Sequence, residues 1–184
     1  MLKNNAKIDA SSHFQDSLPI SSDQLMARLD KWGISYKCFN HVPLYTVEES
    51  KHVQGRFLNA SEGGGHIKNL YLRDHKKNNI LLVTEQDRVI DLKKLKKHLQ
   101  TGHLSFGSSD RLMENLGVRP GAVTPFSMVT GVTKNVSLFL DKDLRSCIKI
   151  YAHPLVNDRT LELSVDSLDC FFKKIGAVPH WINL

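Results

Sequence analysis

Residues 63–74 read Gly-Gly-Gly-His-Ile-Lys-Asn-Leu-Tyr-Leu-Arg-Asp. A flexible glycine run leads into an alternating segment in which Ile67, Leu70 and Leu72 set a strand over about 66–73. Its entry carries Lys68 and Asn69, which puts an ammonium and a carboxamide on the first turn of the strand. The glycines beside them suit a loop that lets a ligand approach the backbone. Burying an unpaired charge is expensive, so an ordinary core strand has little use for a lysine there. One reading is that Lys68 holds an anion or a polar reaction centre. The other is that it sits at a strand edge and discourages unwanted pairing. The stretch alone leaves both open.

Working outward, the strand turns through His75-Lys76-Lys77-Asn78-Asn79 into a second apolar run at 80–84, which predicts an antiparallel hairpin. Upstream, Ser21-x-x-Gln24 is a capping box that starts a helix with Leu25, Met26, Leu29 and Trp32 on one face, ended by Gly33. A short strand follows at 36–39, and Thr46-x-x-Glu49 opens a second helix to about residue 54. Downstream come a basic helix at about 92–100, a short strand at 104–106 and a helix from about 109 to Gly117. Strands at 136–140 and 149–152 read as neighbours, and 160–163 pairs next through the Asn157-Asp158-Arg159 turn. Ser164 caps a final helix that Gly176 stops. Strands and short helices without regular alternation predict one α+β domain with a mixed sheet. Residues 1–18 are polar and aperiodic, which predicts a disordered leader before a domain at 19–184.

The chain's 184 residues and 41% hydrophobic content fit one soluble globular domain. No apolar stretch approaches the ~20 residues of a membrane span, and no secretory signal opens the chain. The three cysteines, Cys38, Cys147 and Cys170, form no Cys-x-x-Cys pair, which points to a reducing cytoplasm without a cysteine zinc site. A net charge of +6 permits attraction to a polyanion. Lys93, Lys94, Lys96 and Lys97 lie opposite Leu92, Leu95 and Leu99 on one amphipathic helix. They are either a solvated face or a phosphate-contacting one.

Several chemistries lack their motifs. There is no Gly-x-Gly-x-x-Gly or Walker-type loop, no His-Glu-x-x-His and no Gly-x-Ser-x-Gly elbow. His98 and His103 lie five residues apart across a helix end, a poor zinc spacing. The candidates left are Lys68, Asn69 and the His153-Pro154-Leu155-Val156-Asn157 segment at a strand end.

Four separated segments occur together in one order: His41-Val-Pro-Leu-Tyr-Thr46, Lys68-Asn69-Leu-Tyr-Leu, Gly117-Val-Arg-Pro-Gly121-Ala-Val-Thr-Pro125-Phe, and His153-Pro-Leu-Val-Asn157. In this the chain resembles the free-standing homologues of the bacterial prolyl-tRNA synthetase editing domain, and within them the alanyl-tRNA(Pro) deacylases, over about residues 20–175. The resemblance implies a mixed, twisted β-sheet surrounded by helices, with one cleft for the tRNA 3′ end. It implies a metal-independent, cofactor-free hydrolase of mischarged alanyl-tRNA(Pro), with Lys68 essential, Asn69 its neighbour and His153 the histidine of the His-Pro segment. It also implies substrate binding by Thr124 and Pro125 and a cleft lined by Gly131. A sister branch of the family removes cysteine from tRNA(Pro).

An aminoacyl ester is already activated, so its hydrolysis needs positioning and charge stabilisation more than a strong nucleophile. Lys68 suits a phosphate or an oxyanion, Asn69 the ester carbonyl or a water, and His153 a ribose hydroxyl or a proton relay. Arg73 and Arg111 are candidates for reading the acceptor end. The implied partner is tRNA(Pro) carrying alanine, with transient contact to prolyl-tRNA synthetase or an elongation factor, and neither DNA nor membrane. Two rivals are a silent tRNA- or synthetase-binding relative and a Schiff-base enzyme using Lys68.

Overall fold

The computed structural model describes residues 8–184. Its organising strand is β2 (Gly64–Asp74), the segment quoted first above. β2 runs antiparallel to β3 (Asn79–Glu85), from the Ile67–Glu85 pair to the Arg73–Asn79 pair. Outside β3 lies β5 (Ser137–Asp141), parallel to it, and then β8 (His180–Ile182). On the other side, β2 pairs in parallel with β6 (Lys149–Ala152), followed by β7 (Arg159–Leu163) and β1 (Lys37–Asn40). β4 (Leu104–Phe106) also pairs with β2, at its far end. The result is one eight-stranded mixed sheet with helices packed around it, an α+β domain.

The helices are α1 (Ser22–Lys31), α2 (Val47–Lys51), α3 (Leu92–His98), α4 (Ser109–Leu116), α5 (Met128–Gly131) and α6 (Val165–Ile175). Their ends follow local chemistry. Ser21 and Gln24 cap α1 reciprocally, and Gly117 and Gly176 take left-handed φ after α4 and α6. At α2 the Thr46 hydroxyl caps Glu49 N–H, but the Glu49 carboxylate accepts from Tyr45 N–H (2.6 Å) instead of closing the box. The main core joins α1 through Leu25 and Leu29 to Phe126, Phe171 and Phe172. A smaller cluster (Leu72, Ile80, Leu82, Leu95, Leu99, Leu104) seats α3 on the opposite face, which leaves Lys93, Lys94 and Lys97 exposed. No helix among the described residues is long and apolar enough to cross a membrane.

Two expectations fail here. The strands β5 and β6 are not neighbours, because β2 and β3 lie between them. Each instead joins the central pair in parallel, β5 on β3 and β6 on β2. Nor are residues 8–18 disordered; residues 1–7 of the expected leader lie outside the described residues. Ser12–Ser17 form a 3₁₀ turn, with Ser12 N–H and Oγ both donating to the Asp158 carboxylate (2.9 and 2.6 Å). Ala10 and Leu18 are buried in the main core, and the Ala10 carbonyl accepts from Asn157 N–H (2.9 Å). A single turn tied down by distant side chains has no periodicity to read.

Candidate functional site

The pairing of β2 is interrupted. On one side its ladder with β6 ends at His66, and its ladder with β4 begins at Leu72. Gln86 N–H donates to the His66 carbonyl on the β3 side (2.9 Å), and Gly107 N–H donates to the Tyr71 carbonyl on the β4 side (3.0 Å). Backbone polar groups of alternate residues point to alternate sides of a strand. The N–H and C=O of Ile67 and Asn69 therefore share Tyr71's side and face the gap.

A cleft opens at that gap. Its inner chamber, about 50 Å³, is lined by Leu44, Val47, Phe57, Asn69, Tyr151 and His153 among others. Its mouth, about 190 Å³, adds Tyr45, Thr46, Lys68, Gly121 and Val123, and shares Leu44, Val47, Ser50, Asn69 and His153 with the chamber. The segment 44–57 forms the roof. Asn157, fully buried, holds one end of it: Leu44 N–H donates to the Asn157 carbonyl (2.8 Å) and Asn157 Nδ2 to the Leu44 carbonyl (3.0 Å). The other end is tied to the loop after β3. The Gln54 and Gln86 carboxamides exchange hydrogen bonds (2.7 and 3.2 Å), and Lys51 pairs with Asp87 (2.7 Å). At the back, Phe57 and His66 each stack on Tyr151, with centroids 4.5 and 4.9 Å apart.

Asn69 and His153 meet in the chamber. The Asn69 Oδ1 atom is buried and has no hydrogen-bond partner, a condition native proteins rarely leave unused. His153 Nδ1 lies 2.7 Å from the Arg159 carbonyl; a carbonyl only accepts, so Nδ1 carries the proton and Nε2 keeps its lone pair. Burial pushes the His153 imidazole below its ordinary pKa range, outweighing the Arg159 carbonyl, which favours the charged form. The ring of His41, itself bonded to Thr160 Oγ1 (2.9 Å), stands 5.9 Å away.

Strand alternation sends Lys68 to the opposite face of β2 from Asn69, so the two rim the gap from either side. Lys68 Nζ donates to the backbone carbonyl of Arg88. Thr84, directly across the ladder from Lys68, donates to the buried Asp141 carboxylate (2.9 Å), and Arg88 pairs with the same carboxylate (2.6 Å).

Five other expected site residues lie elsewhere. Gly131 is buried in α5, where an added Cβ would stand 2.9 Å from both Leu116 and Met128; the glycine serves packing of α4 on α5. Thr124 and Pro125 are buried at the start of a single turn, and the Thr124 carbonyl accepts from Ser127 Oγ (2.6 Å). They hold Gly121 and Val123, which do line the mouth. Arg73 sits five residues along β2 from Lys68, roughly 17 Å, with Nε buried and unpartnered. Arg111 is on α4, where its carbonyl accepts from Asn115 Nδ2 (2.8 Å). Neither arginine lines the chamber or its mouth.

The glycine run also has a different role from the expected one. Gly64 and Gly65 lie within β2, and a Cβ on Gly64 would stand 1.9 Å from the Leu58 carbonyl oxygen. The close approach is to the chain's own backbone. By contrast Gly121, at φ +91°, lies against the Tyr45 ring at the mouth, with a virtual Cβ 3.1 Å away. The roof residues Val47, Ser50 and Gln54 and the loop residues Gln86 and Arg88 carry no motif that sets them apart in the sequence.

Fold and site together define an α+β domain with a small chamber where the pairing of its central strand is interrupted on one side. Among the described residues no three His, Cys, Asp or Glu side chains converge. The chain belongs to the aminoacyl-tRNA editing domain family, whose model matches residues 41–171. It is 36% identical over 163 residues to the "Prolyl-tRNA editing protein ProX" of Acetoanaerobium sticklandii, covering 87% of this chain and 95% of the relative. It is 35% identical over 168 residues to the "Prolyl-tRNA synthetase associated domain-containing protein 1" of Mus musculus, covering 87% and 94%. Its fold matches a crystal structure described as that of a candidate trans-editing enzyme for prolyl tRNA synthetase. The TM-score is 0.64 at 19% identity, covering 89% of this chain and 96% of that one.

Proposed function

We propose that the chain is a deacylase that hydrolyses the ester of alanyl-tRNA(Pro) in the cytoplasm, acting on tRNA released by prolyl-tRNA synthetase. Family membership supports the class of reaction. The observation that carries the reading is the inner chamber, whose volume of about 50 Å³ adjoins an unpartnered carboxamide oxygen and an unpaired strand edge. That is space on the order of four water molecules. A methyl side chain fits in front of the stacked rings of Phe57, Tyr151 and His66, and whether those walls turn away a pyrrolidine ring is what prolyl-tRNA(Pro) tests.

The terminal ribose occupies the mouth and the aminoacyl group enters the chamber. Asn69 Oδ1 accepts from the attacking water or the substrate's α-ammonium. The Ile67 and Asn69 amides on the open edge donate to the carbonyl oxygen as it gains charge, and the Lys68 ammonium adds its field from the rim. His153, neutral with Nε2 free, accepts from the ribose hydroxyl or the water and passes the proton on. Water attacks the carbonyl carbon, the ester bond to the ribose oxygen breaks, and the products are alanine and tRNA with a free 3′ end. Contact with prolyl-tRNA synthetase or an elongation factor is transient in this reading.

The test is amino-acid release from alanyl-tRNA(Pro), prolyl-tRNA(Pro), cysteinyl-tRNA(Pro) and alanyl-tRNA(Ala), with Lys68→Ala as the inactive control. Alanine on tRNA(Pro) is expected to be cleared fastest and proline spared. Preference for cysteine would move the chain to the sister specificity. No release from any of the four would overturn the reading, and full activity in folded Lys68→Ala would remove Lys68 from the chemistry.

A further inference from the structure

Lys68 has no carboxylate within ion-pair distance among the described residues; its ammonium is held by a neutral carbonyl, that of Arg88. A carboxylate would cancel the charge that the proposed chemistry uses, whereas a carbonyl orients it and leaves it positive. That carbonyl sits in the short loop after β3, where backbone is ordinarily free to move.

The side chain of the same residue removes that freedom. The Arg88 guanidinium reaches three acceptors, Asp141 and Asp143 at the end of β5 and the carbonyl of the distant Leu184. Its Nε lies 2.6 Å from Asp141 Oδ2, close but too far off axis for a hydrogen bond, so the contact is an ion pair. Nη2 reaches Asp143 (2.5 Å) and Nη1 donates to the Leu184 carbonyl (2.8 Å). Asp141 is 1% exposed and is held in turn by Thr84, the residue facing Lys68 across the ladder. The contacts close a ring: Lys68 to the Arg88 carbonyl, the Arg88 guanidinium to Asp141, Asp141 to Thr84, and Thr84 back to Lys68 through the β2–β3 pairing.

We infer that Arg88 is the positioning residue for Lys68: its guanidinium, locked on Asp141, fixes the carbonyl that aims the lysine ammonium at the cleft mouth. This rests on the deacylase reading above, in which Lys68 acts on the ester. The two preceding residues, Gln86 and Asp87, bind the roof through Gln54 and Lys51. The loop therefore sets the lysine and the roof relative to each other.

Removing Arg88 alone strands a buried carboxylate and destabilises the fold, so the informative protein is Arg88→Ala combined with Asp141→Asn, which removes both charges. The double variant is expected to fold with near-wild-type thermal stability. Its kcat on alanyl-tRNA(Pro) should fall about tenfold or more with KM changed less than twofold, as misplacement of a reacting group predicts. Arg88→Lys, which keeps a cation opposite Asp141, should recover part of the loss. Independently of activity, Lys68 in the double variant should acylate several-fold faster with an amine-reactive ester, scored by mass spectrometry. A folded double variant with wild-type kcat and wild-type Lys68 labelling would make Arg88 merely structural and overturn the inference. No release of amino acid by the wild-type protein would instead sink the deacylase reading, while the Lys68 labelling still reports on Arg88, so the two failures are distinguishable.

Discussion

Replacing Asn69 by leucine is expected to make the protein more stable and less active. The Oδ1 atom of Asn69 is buried and unpartnered, and a buried acceptor left without a hydrogen bond costs about 1–3 kcal/mol. Asn69 is only partly buried as a residue and its position borders a cleft that water enters, so the lower end applies. Leucine keeps the branching and the number of heavy atoms, suits a strand, and removes the unsatisfied oxygen. A gain of about 1 kcal/mol corresponds to about 2–4 °C in Tm for a chain of this length. Activity should move the other way. If Oδ1 is unpaired because substrate or water pairs it, kcat should drop by roughly 10²-fold, the scale of losing one preorganised polar contact. Thermal unfolding followed by circular dichroism and alanine release from alanyl-tRNA(Pro) measure the two effects on one preparation. A fall in Tm with unchanged kcat would refute the reasoning, since the carboxamide would then be serving the fold and not the reaction.

Burial holds the His153 pKa below the ordinary imidazole value of about 6.5. Its contribution to stability is therefore complete above about pH 6.5 and is lost as pH falls through that value towards the depressed folded pKa. The acid limb of the pH–rate profile should be centred below pH 6.5, and one centred at or above 6.5 would contradict the assignment. If the exposed lysines of α3 contact phosphates, neutralising Lys93, Lys94 and Lys97 should weaken tRNA binding and flatten its dependence on salt. An unchanged salt slope would leave them as a solvated face.

What the sequence made legible is what local chemistry decides. The β2–β3 hairpin, the Ser21 capping box and the glycine stops after α4 and α6 depend on residues within a few positions of one another, and all are present. The parallel placement of β5 and β6 depends on which faces bury against which helices, and nothing within either strand encodes it. The site divides in the same way. Asn69 and His153 meet in the chamber, the first carried there by the middle of β2 and the second by the end of β6. The partner of Lys68 is a backbone carbonyl twenty residues away, a group every residue carries, so no motif announces it. Gly131 looked like a small residue lining a cleft because the sequence cannot distinguish room left for a ligand from room left for Leu116.

The interruption of β2 has a consequence for how the protein keeps its own company. An unpaired strand edge invites any extended chain to add to it, the first step towards fibres and runaway self-association. Here the vacancy runs only from Ile67 to Tyr71, closed at one end by β6 and at the other by β4, beneath a roof anchored at Leu44. Within that span a foreign strand would find fully open backbone groups at Ile67 and Asn69 alone. The molecule thus keeps a few backbone groups open at a short, roofed edge, where an added strand would gain few ladder bonds.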